Sequence, residues 1–264
     1  MKRIGLIGGT GLFGLYSKNS ELTSFWNLKN NTDLIVETPY GEVPITVFDF
    51  EKEKELCKVF FLQRHHNLNG KTKTPHEINH LANVYAILSC NVEFTIAVCS
   101  VGAINQDFFP GMVGLANQYI DFSGKSVSFH NNDAEFTSMT TPFDTDLNKN
   151  LLKSLRESQP HLSELKDENF LLTYWFSSGP QFETPAEIKA ISKLGGDCVG
   201  MTLAPEAKLM AEKGHKFSAI LIAGNYAAGL DPSNPIAKLD HNKISSKATS
   251  RSDPVVYSLS KLFD

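Results

Sequence analysis

Short apolar runs alternate with amphipathic stretches along the chain. Residues 3–7 are apolar and stop at Gly8-Gly9-Thr10-Gly11, which predicts a buried strand entering a glycine turn. Residues 45–50 predict a strand, and 58–63 (KVFFLQ) a stronger one ending at Arg64-His65-His66. Residues 67–74 are polar and contain glycine, so they predict a loop. Pro75 sits where helices favour starting, and Ile78, Leu81, Ala82, Tyr85 and Leu88 then recur at helical spacing. Residues 94–99 (FTIAVC) predict a buried strand that stops at Ser100-Val101-Gly102.

Residues 111–120 alternate loosely and predict another strand, whereas 121–141 are polar and loop-like. A helix is predicted over 146–156 and a strand over 170–176. Thr184-Pro185-Ala186-Glu187 opens a helix: Thr184 suits the N-cap, Pro185 the first turn, and Glu187 completes a capping box. Residues 198–201 are short and apolar, 205–213 helical, 218–223 (SAILIA) a buried strand, and 255–263 a final helix. Strands alternate with helices without repeats or low-complexity linkers. The expectation is one α/β domain over residues 1–264, a mixed β-sheet flanked by helices.

Composition narrows the function classes. The chain has 264 residues, 41% hydrophobic and 20% charged, which is ordinary for a globular protein and excludes a mainly disordered one. A net charge of −4 argues against binding nucleic acid through bulk charge. No apolar run approaches the roughly 18–20 residues of a membrane span. Cys57, Cys90, Cys99 and Cys198 are widely spaced without a CxxC pair, so buried free thiols in a reducing cytoplasm are expected. Met1-Lys2-Arg3 and the apolar residues after it superficially suggest a secretory leader, but glycines break the run, and it reads as structure.

Three constellations carry candidate chemistry. Gly9-Thr10-Gly11-Leu12-Phe13-Gly14 matches GxGxxG after a strand, and Glu37 lies 23 residues past Gly14. That is a dinucleotide-binding pattern, but Tyr16-Ser17-Lys18-Asn19-Ser20 gives no apolar helix face after it. A glycine turn with a Thr hydroxyl also makes a nest for an oxyanion. His76-Glu77-Ile78-Asn79-His80 matches HExxH on a predicted helix, the pattern of a zinc peptidase, without a clear third ligand. The third constellation is dispersed. Gly8 to Gly11, Arg64-His65-His66, Ser100 to Ala103, and Gly200-Met201-Thr202 with Pro205-Glu206 each follow a predicted strand, joined by Gly179-Pro180-Gln181-Phe182-Glu183-Thr184. Hydroxyls of Thr10 and Thr202, the Arg64 guanidinium and the imidazole of His65 or His66 are typical anion ligands.

These five pieces resemble the trimeric purine nucleoside and methylthioadenosine phosphorylases, in order from Ile4 to about Gly229. Glu37-Thr38-Pro39-Tyr40-Gly41 and Asn225-Tyr226-Ala227-Ala228-Gly229 are most similar to the methylthioinosine phosphorylases within that family. The resemblance implies one α/β domain around a twisted mixed sheet, a homotrimer, no metal or cofactor, and inorganic phosphate as co-substrate. It implies that Thr10, Arg64, His65, Ser100 and Thr202 hold phosphate and that Met201 lies under the ribose. Phe182 would pack on the purine, with Glu183 at its pyrimidine edge and Asn225 at N7 and the 6-substituent. Phe136 would reach a neighbouring subunit's site. The loop 67–74 is longer than in the methylthionucleoside enzymes, and His66 follows His65, so either histidine can take the phosphate role.

The implied reaction is reversible phosphorolysis. Breaking the C1′–N9 bond leaves an oxocarbenium-like sugar and an electron-rich purine. Phosphate held by preorganised donors stabilises the cation and attacks it, with no enzyme nucleophile. Asn225 can accept a proton from N7 of a 6-oxopurine and donate to O6, whereas a 6-aminopurine wants an acid there. Ala227 stands two residues after Asn225, with no carboxylate close in sequence, which favours hypoxanthine over adenine. His241, sixteen residues past Asn225, sits near where hydroxyl-preferring members place a histidine, while the motifs as a whole favour a methylthio group. The expected substrate is S-methyl-5′-thioinosine, with inosine or guanosine and methylthioadenosine as alternatives. A non-enzymatic purine sensor would not need the phosphate ligands.

Overall fold

The computed structural model describes residues 1–9, 27–52, 55–66, 72–132, 134–240 and 252–262. Its strands are β1 (Lys2–Gly8), β2 (Asn27–Thr38), β3 (Gly41–Lys52), β4 (Glu55–Gln63), β5 (Phe94–Ala103), β6 (Val113–Ile120), β7 (Leu171–Phe176), β8 (Cys198–Gly200) and β9 (Phe217–Tyr226). The helices are α1 (His80–Ser89), α2 (Thr145–Ser158), α3 (Pro185–Lys193), α4 (Leu203–Glu212) and α5 (Asp253–Leu262). The strands form one mixed sheet in the order β2-β3-β4-β1-β5-β8-β7-β6-β9. β9 also pairs with β5, so the last five strands close on themselves. Closure removes the open edges that a strand would otherwise present to other chains.

Alternation along β1 feeds both layers of the core. Ile7 joins Ala97, Cys99, Phe108 and Tyr174 on one side. Ile4 and Leu6 join Ile96, Val98, Ile220 and Ile222 on the other, covered by Leu151 and Leu155 of α2 and Val255, Val256 and Leu259 of α5. Fully burying such a side chain is worth about 1.5–3 kcal/mol, so these layers carry the fold. All four cysteines are buried and unbridged. No helix among the described residues is long and apolar enough to cross a membrane.

Register sets the site. β1 runs parallel to both β4 and β5, with Gly8 level with Gln63 on one side and Val98 on the other. The next residues, Gly9, Arg64 and Cys99, therefore stand at one height, the first two just past β1 and β4 and Cys99 still inside β5. β5 and β9 are also parallel and bring Gly102 level with Asn225. β8 runs antiparallel to β5, with Val199 opposite Gly102, so Met201 and Thr202 arrive from the other direction.

Several expectations are corrected. The helix predicted from Pro75 begins five residues later. Pro75–Glu77 is a single 3-10 turn, Ile78 is extended, and Asn79 caps α1 by accepting from the Ala82 N–H. Ser100 does not end its strand but lies inside β5, paired with Ile222. β2 was not expected at all. It is polar and mostly exposed, and it exists because β3 supplies its partners, from Thr38 opposite Gly41 to Asn27 opposite Glu51.

Candidate active site

Arg64 is the anchor. Its backbone N–H donates to Gly8 O (2.9 Å), holding the ends of β4 and β1 together. Its side chain is only 2% exposed. Nε donates to Glu206 Oε1 (2.8 Å), Nη2 to Glu206 Oε2 (2.9 Å) and Cys99 Sγ (3.6 Å), and Nη1 to Val98 O (2.9 Å). A guanidinium has five N–H donors, so one on Nη1 is left without a partner among the described residues. Nη1 is also the nearest atom to a Cβ built on Gly9, at 3.8 Å, so it lies beside the residue that follows β1.

Thr202 sits at the N-cap of α4 but does not cap it. Tyr174 Oη instead accepts from the backbone N–H of Thr202 (3.1 Å) and Leu203 (3.4 Å). Thr202 Oγ1 makes one long hydrogen bond, to Cys99 Sγ (3.9 Å), beside Arg64. Gly200 permits this arrangement, because a Cβ there would stand 2.5 Å from Tyr174 Oη.

Both tandem histidines are tethered. His65 Nδ1 donates to Lys73 O (3.0 Å), since a carbonyl can only accept. His66 Nε2 donates to Asn83 Oδ1 (2.7 Å), and Asn83 Nδ2 donates to Arg64 O (3.1 Å). His66 Nδ1 is buried and has no partner among the described residues, and burial lowers the pKa of this ring.

The second half of the site adjoins the first. The Ser177 N–H donates to Gly200 O (2.9 Å). Gly179, at φ +61°, lies so close to Met201 that a Cβ would meet its Sδ at 2.6 Å. Glu183 hydrogen-bonds Ser177, and its Oε1 is buried with no partner among the described residues. Burial raises its pKa above the ordinary carboxylate value. The neighbouring Glu187 is spent on the predicted capping box: its Oε2 accepts from the Thr184 N–H (2.7 Å), and Thr184 Oγ1 accepts from the Glu187 N–H (3.2 Å). Phe182 is 40% exposed beside Glu183.

Asn225 is the penultimate residue of β9, where its Nδ2 donates to Tyr226 O (2.6 Å). It lines a cavity of about 420 Å³ with Tyr226, Ala228, Asp231, Lys238 and Asp240. Glu183, Phe182 and Met201 are not in that lining. The absence of a carboxylate near Asn225 holds for its sequence neighbours but not in space, where the chain folds Asp231 and Asp240 into the same cavity. Phe136 is 96% exposed in the loop between β6 and α2, and Ser100 is exposed within β5. Thr10 and His241 lie outside the described residues, as does most of the GxGxxG stretch.

The HExxH reading is corrected. His76 is exposed in the 3-10 turn and bonds Thr74 Oγ1 (3.1 Å), whereas His80 opens α1 and turns inward. The break at Ile78-Asn79 prevents the two rings from lying one turn apart on a single helix. Among the described residues, no three His, Cys, Asp or Glu side chains are arranged to hold a metal. Glu37, the acidic residue of the dinucleotide pattern, is instead paired across the β2–β3 hairpin with Glu42.

Sequence reasoning gave no role to Glu206, Tyr174, Cys99 or Asn83. Glu206 carried a signal, since it stands in the Pro205-Glu206 piece; the others are ordinary residues of predicted strands and a helix. In chemical terms, among the described residues the site holds one unspent donor at Arg64 Nη1, a Thr202 hydroxyl engaged only by the long bond to Cys99, and an unpaired Oε1 on Glu183. Such a pairing suits an oxyanion next to a polar N–H-bearing molecule.

Comparison with known proteins follows from that geometry. Residues 3–256 match the family model described as the phosphorylase superfamily. A probable 6-oxopurine nucleoside phosphorylase of Thermococcus kodakarensis is 32% identical, over 100% of this chain and 92% of the relative. A probable S-methyl-5′-thioinosine phosphorylase of Methanothermobacter thermautotrophicus is 33% identical, over 87% of this chain and 74% of the relative. Among solved structures, a methylthioadenosine phosphorylase from an antarctic soil metagenomic library superposes with a TM-score of 0.76 at 24% identity, covering 97% of this chain and 84% of that one, a likeness of fold.

Proposed function

The chain belongs to the phosphorylase superfamily, and from that premise we propose that it cleaves the N-glycosidic bond of a 6-oxopurine nucleoside with inorganic phosphate. The substrate we favour is S-methyl-5′-thioinosine, giving hypoxanthine and 5-methylthioribose 1-phosphate. One observation carries the reading: a continuous run of contacts joins the unspent Nη1 donor of Arg64 to the unspent Oε1 of Glu183. It passes from Arg64 through Cys99 to Thr202 and its chain neighbours Met201 and Gly200; Met201 meets Gly179, and Gly200 O accepts from Ser177, which hydrogen-bonds Glu183.

In this reading Arg64, Thr202, Thr10, the Ser100 backbone and His65 or His66 hold phosphate on one side of the sugar. Met201 lies beneath the ribose, and Phe182 packs on the base. As the C1′–N9 bond breaks, the bound dianion stabilises positive charge on the sugar and then bonds to C1′. Glu183 accepts from the N1–H of a 6-oxopurine, and its enclosure strengthens that contact. Asn225 accepts at N7 and, after turning its amide from Tyr226 O, donates to O6. The relatives named for 6-oxopurines and methylthioinosine support this base, while Asp231 and Asp240 in the Asn225 cavity favour a 6-aminopurine as the second reading. The reaction needs no metal or cofactor beyond phosphate, and the buried thiols fit a reducing cytoplasm.

The test is release of free base from methylthioinosine, inosine, guanosine and methylthioadenosine, with and without phosphate and with EDTA. We expect release that requires phosphate, survives EDTA and is fastest from methylthioinosine. Release without phosphate, or activity lost to EDTA and restored by zinc, would overturn the reaction class. Faster release from methylthioadenosine would move the assignment to a 6-aminopurine.

A further inference from the structure

The HExxH string contributes one histidine to the site. His80 opens α1 one turn before Asn83, and residues three apart share a helix face. Asn83 holds that face against the end of β4 through its bonds to Arg64 O and His66 Nε2. His80 Nδ1 is buried and has no partner among the described residues, whereas buried polar atoms are nearly always paired. Burial first, then Arg64, His65 and Lys125, push the pKa of the ring down to about 3, so it is neutral. Every charged or titratable group acting on it is a cation or can become one. A metal ion is disfavoured beside Arg64 and Lys125, and an anion is favoured.

We propose that His80 is a further anion-binding residue of this site, its Nδ1–H donating to the phosphate held by Arg64 and Thr202. The proposal rests on the phosphorolytic reading above. A neutral donor orients one phosphate oxygen without adding a cation, and so leaves the dianion electron-rich enough to attack C1′.

The experiment uses the full chain with His80→Phe and His80→Leu, which lack a donor, and His80→Gln, which keeps one. Two quantities are read: KM for phosphate and for nucleoside, and the rise in Tm caused by inorganic phosphate alone. Losing a hydrogen bond to a charged group should raise the phosphate KM about ten- to a hundredfold in the donor-free variants, leave the nucleoside KM within about twofold, and abolish the Tm rise. His80→Gln should recover part of both. Without ligand the donor-free variants should be as stable as wild type, because Nδ1 has no partner among the described residues. An unchanged phosphate KM and Tm rise in those variants would overturn the proposal. A defect confined to the nucleoside KM, or stoichiometric metal bound by wild type and lost in His80→Phe, would do the same. If wild type shows the phosphate-induced Tm rise but no phosphorolysis, the reaction assignment fails, while loss of that rise in His80→Phe still supports the contact.

Discussion

At the scale of single residues, Glu183 shows how a site stores unfavourable free energy. Its carboxyl is enclosed with Oε1 unpaired, and burial raises its pKa above the ordinary 4.5. The folded chain therefore holds that proton more tightly than the unfolded chain does. The resulting stability is fully present below about pH 4.5 and is lost as the pH rises through the folded value. Glu183→Gln removes the titration. Its Tm relative to wild type should climb between pH 4 and pH 8, while turnover of the 6-oxopurine falls because an amide is a poorer acceptor for N1–H. A Tm difference that does not vary with pH would mean that Glu183 is well solvated and that its carboxyl is not held in reserve for a ligand.

At the scale of elements, the Arg64–Glu206 pair joins the end of β4 to the first turn of α4. The side chains are 2% and 1% exposed. Removing one partner of a buried pair leaves an uncompensated charge and typically costs about 3–5 kcal/mol. Glu206→Ala should lose about that much in urea unfolding. The double variant Arg64→Met, Glu206→Leu should recover most of the stability, because apolar side chains can fill the same space, yet remain unable to use phosphate. Stability unchanged in Glu206→Ala would show that the pair is not holding strand and helix together. At the same junction Tyr174 Oη accepts from the Thr202 and Leu203 N–H groups, and Thr202 Oγ1 makes no cap bond, only the long one to Cys99 Sγ.

At the scale of the whole molecule, Phe136 is the sharpest anomaly. A phenylalanine 96% exposed in a polar loop leaves a large apolar surface in water. Together with the resemblance to trimeric phosphorylases, this supports an assembly in which a second copy covers the ring at its sugar site. Light scattering should report a homotrimer. Phe136→Ala should raise KM for the nucleoside by about tenfold, the worth of one buried apolar side chain, with the phosphate KM little changed. A fully active monomer would rule the arrangement out.

The sequence by itself determined what short-range physics can carry. Apolar runs at 3–7, 58–63 and 218–223 became β1, β4 and β9, and the Thr184 capping box opens α3 as its spacing predicts. The motif pieces were legible too, because each is a few adjacent residues at a strand end. Tertiary structure decided everything that depends on a partner distant in the chain. β2 has only the short apolar run Leu34-Ile35-Val36 near its end, and its length is set by pairing with β3. The antiparallel entry of β8, which turns Thr202 toward Cys99, is set by pairing with β5 rather than by its three residues. The split of HExxH into an exposed His76 and an inward His80 depends on the Asn79 cap and on Asn83 reaching Arg64. Arg64 finds Glu206 across 142 positions and Val98 across 34. Periodicity and capping act within a turn or two of the chain, so they specify elements; which donors are consumed and which remain for a ligand depends on contacts that form only once those elements are packed.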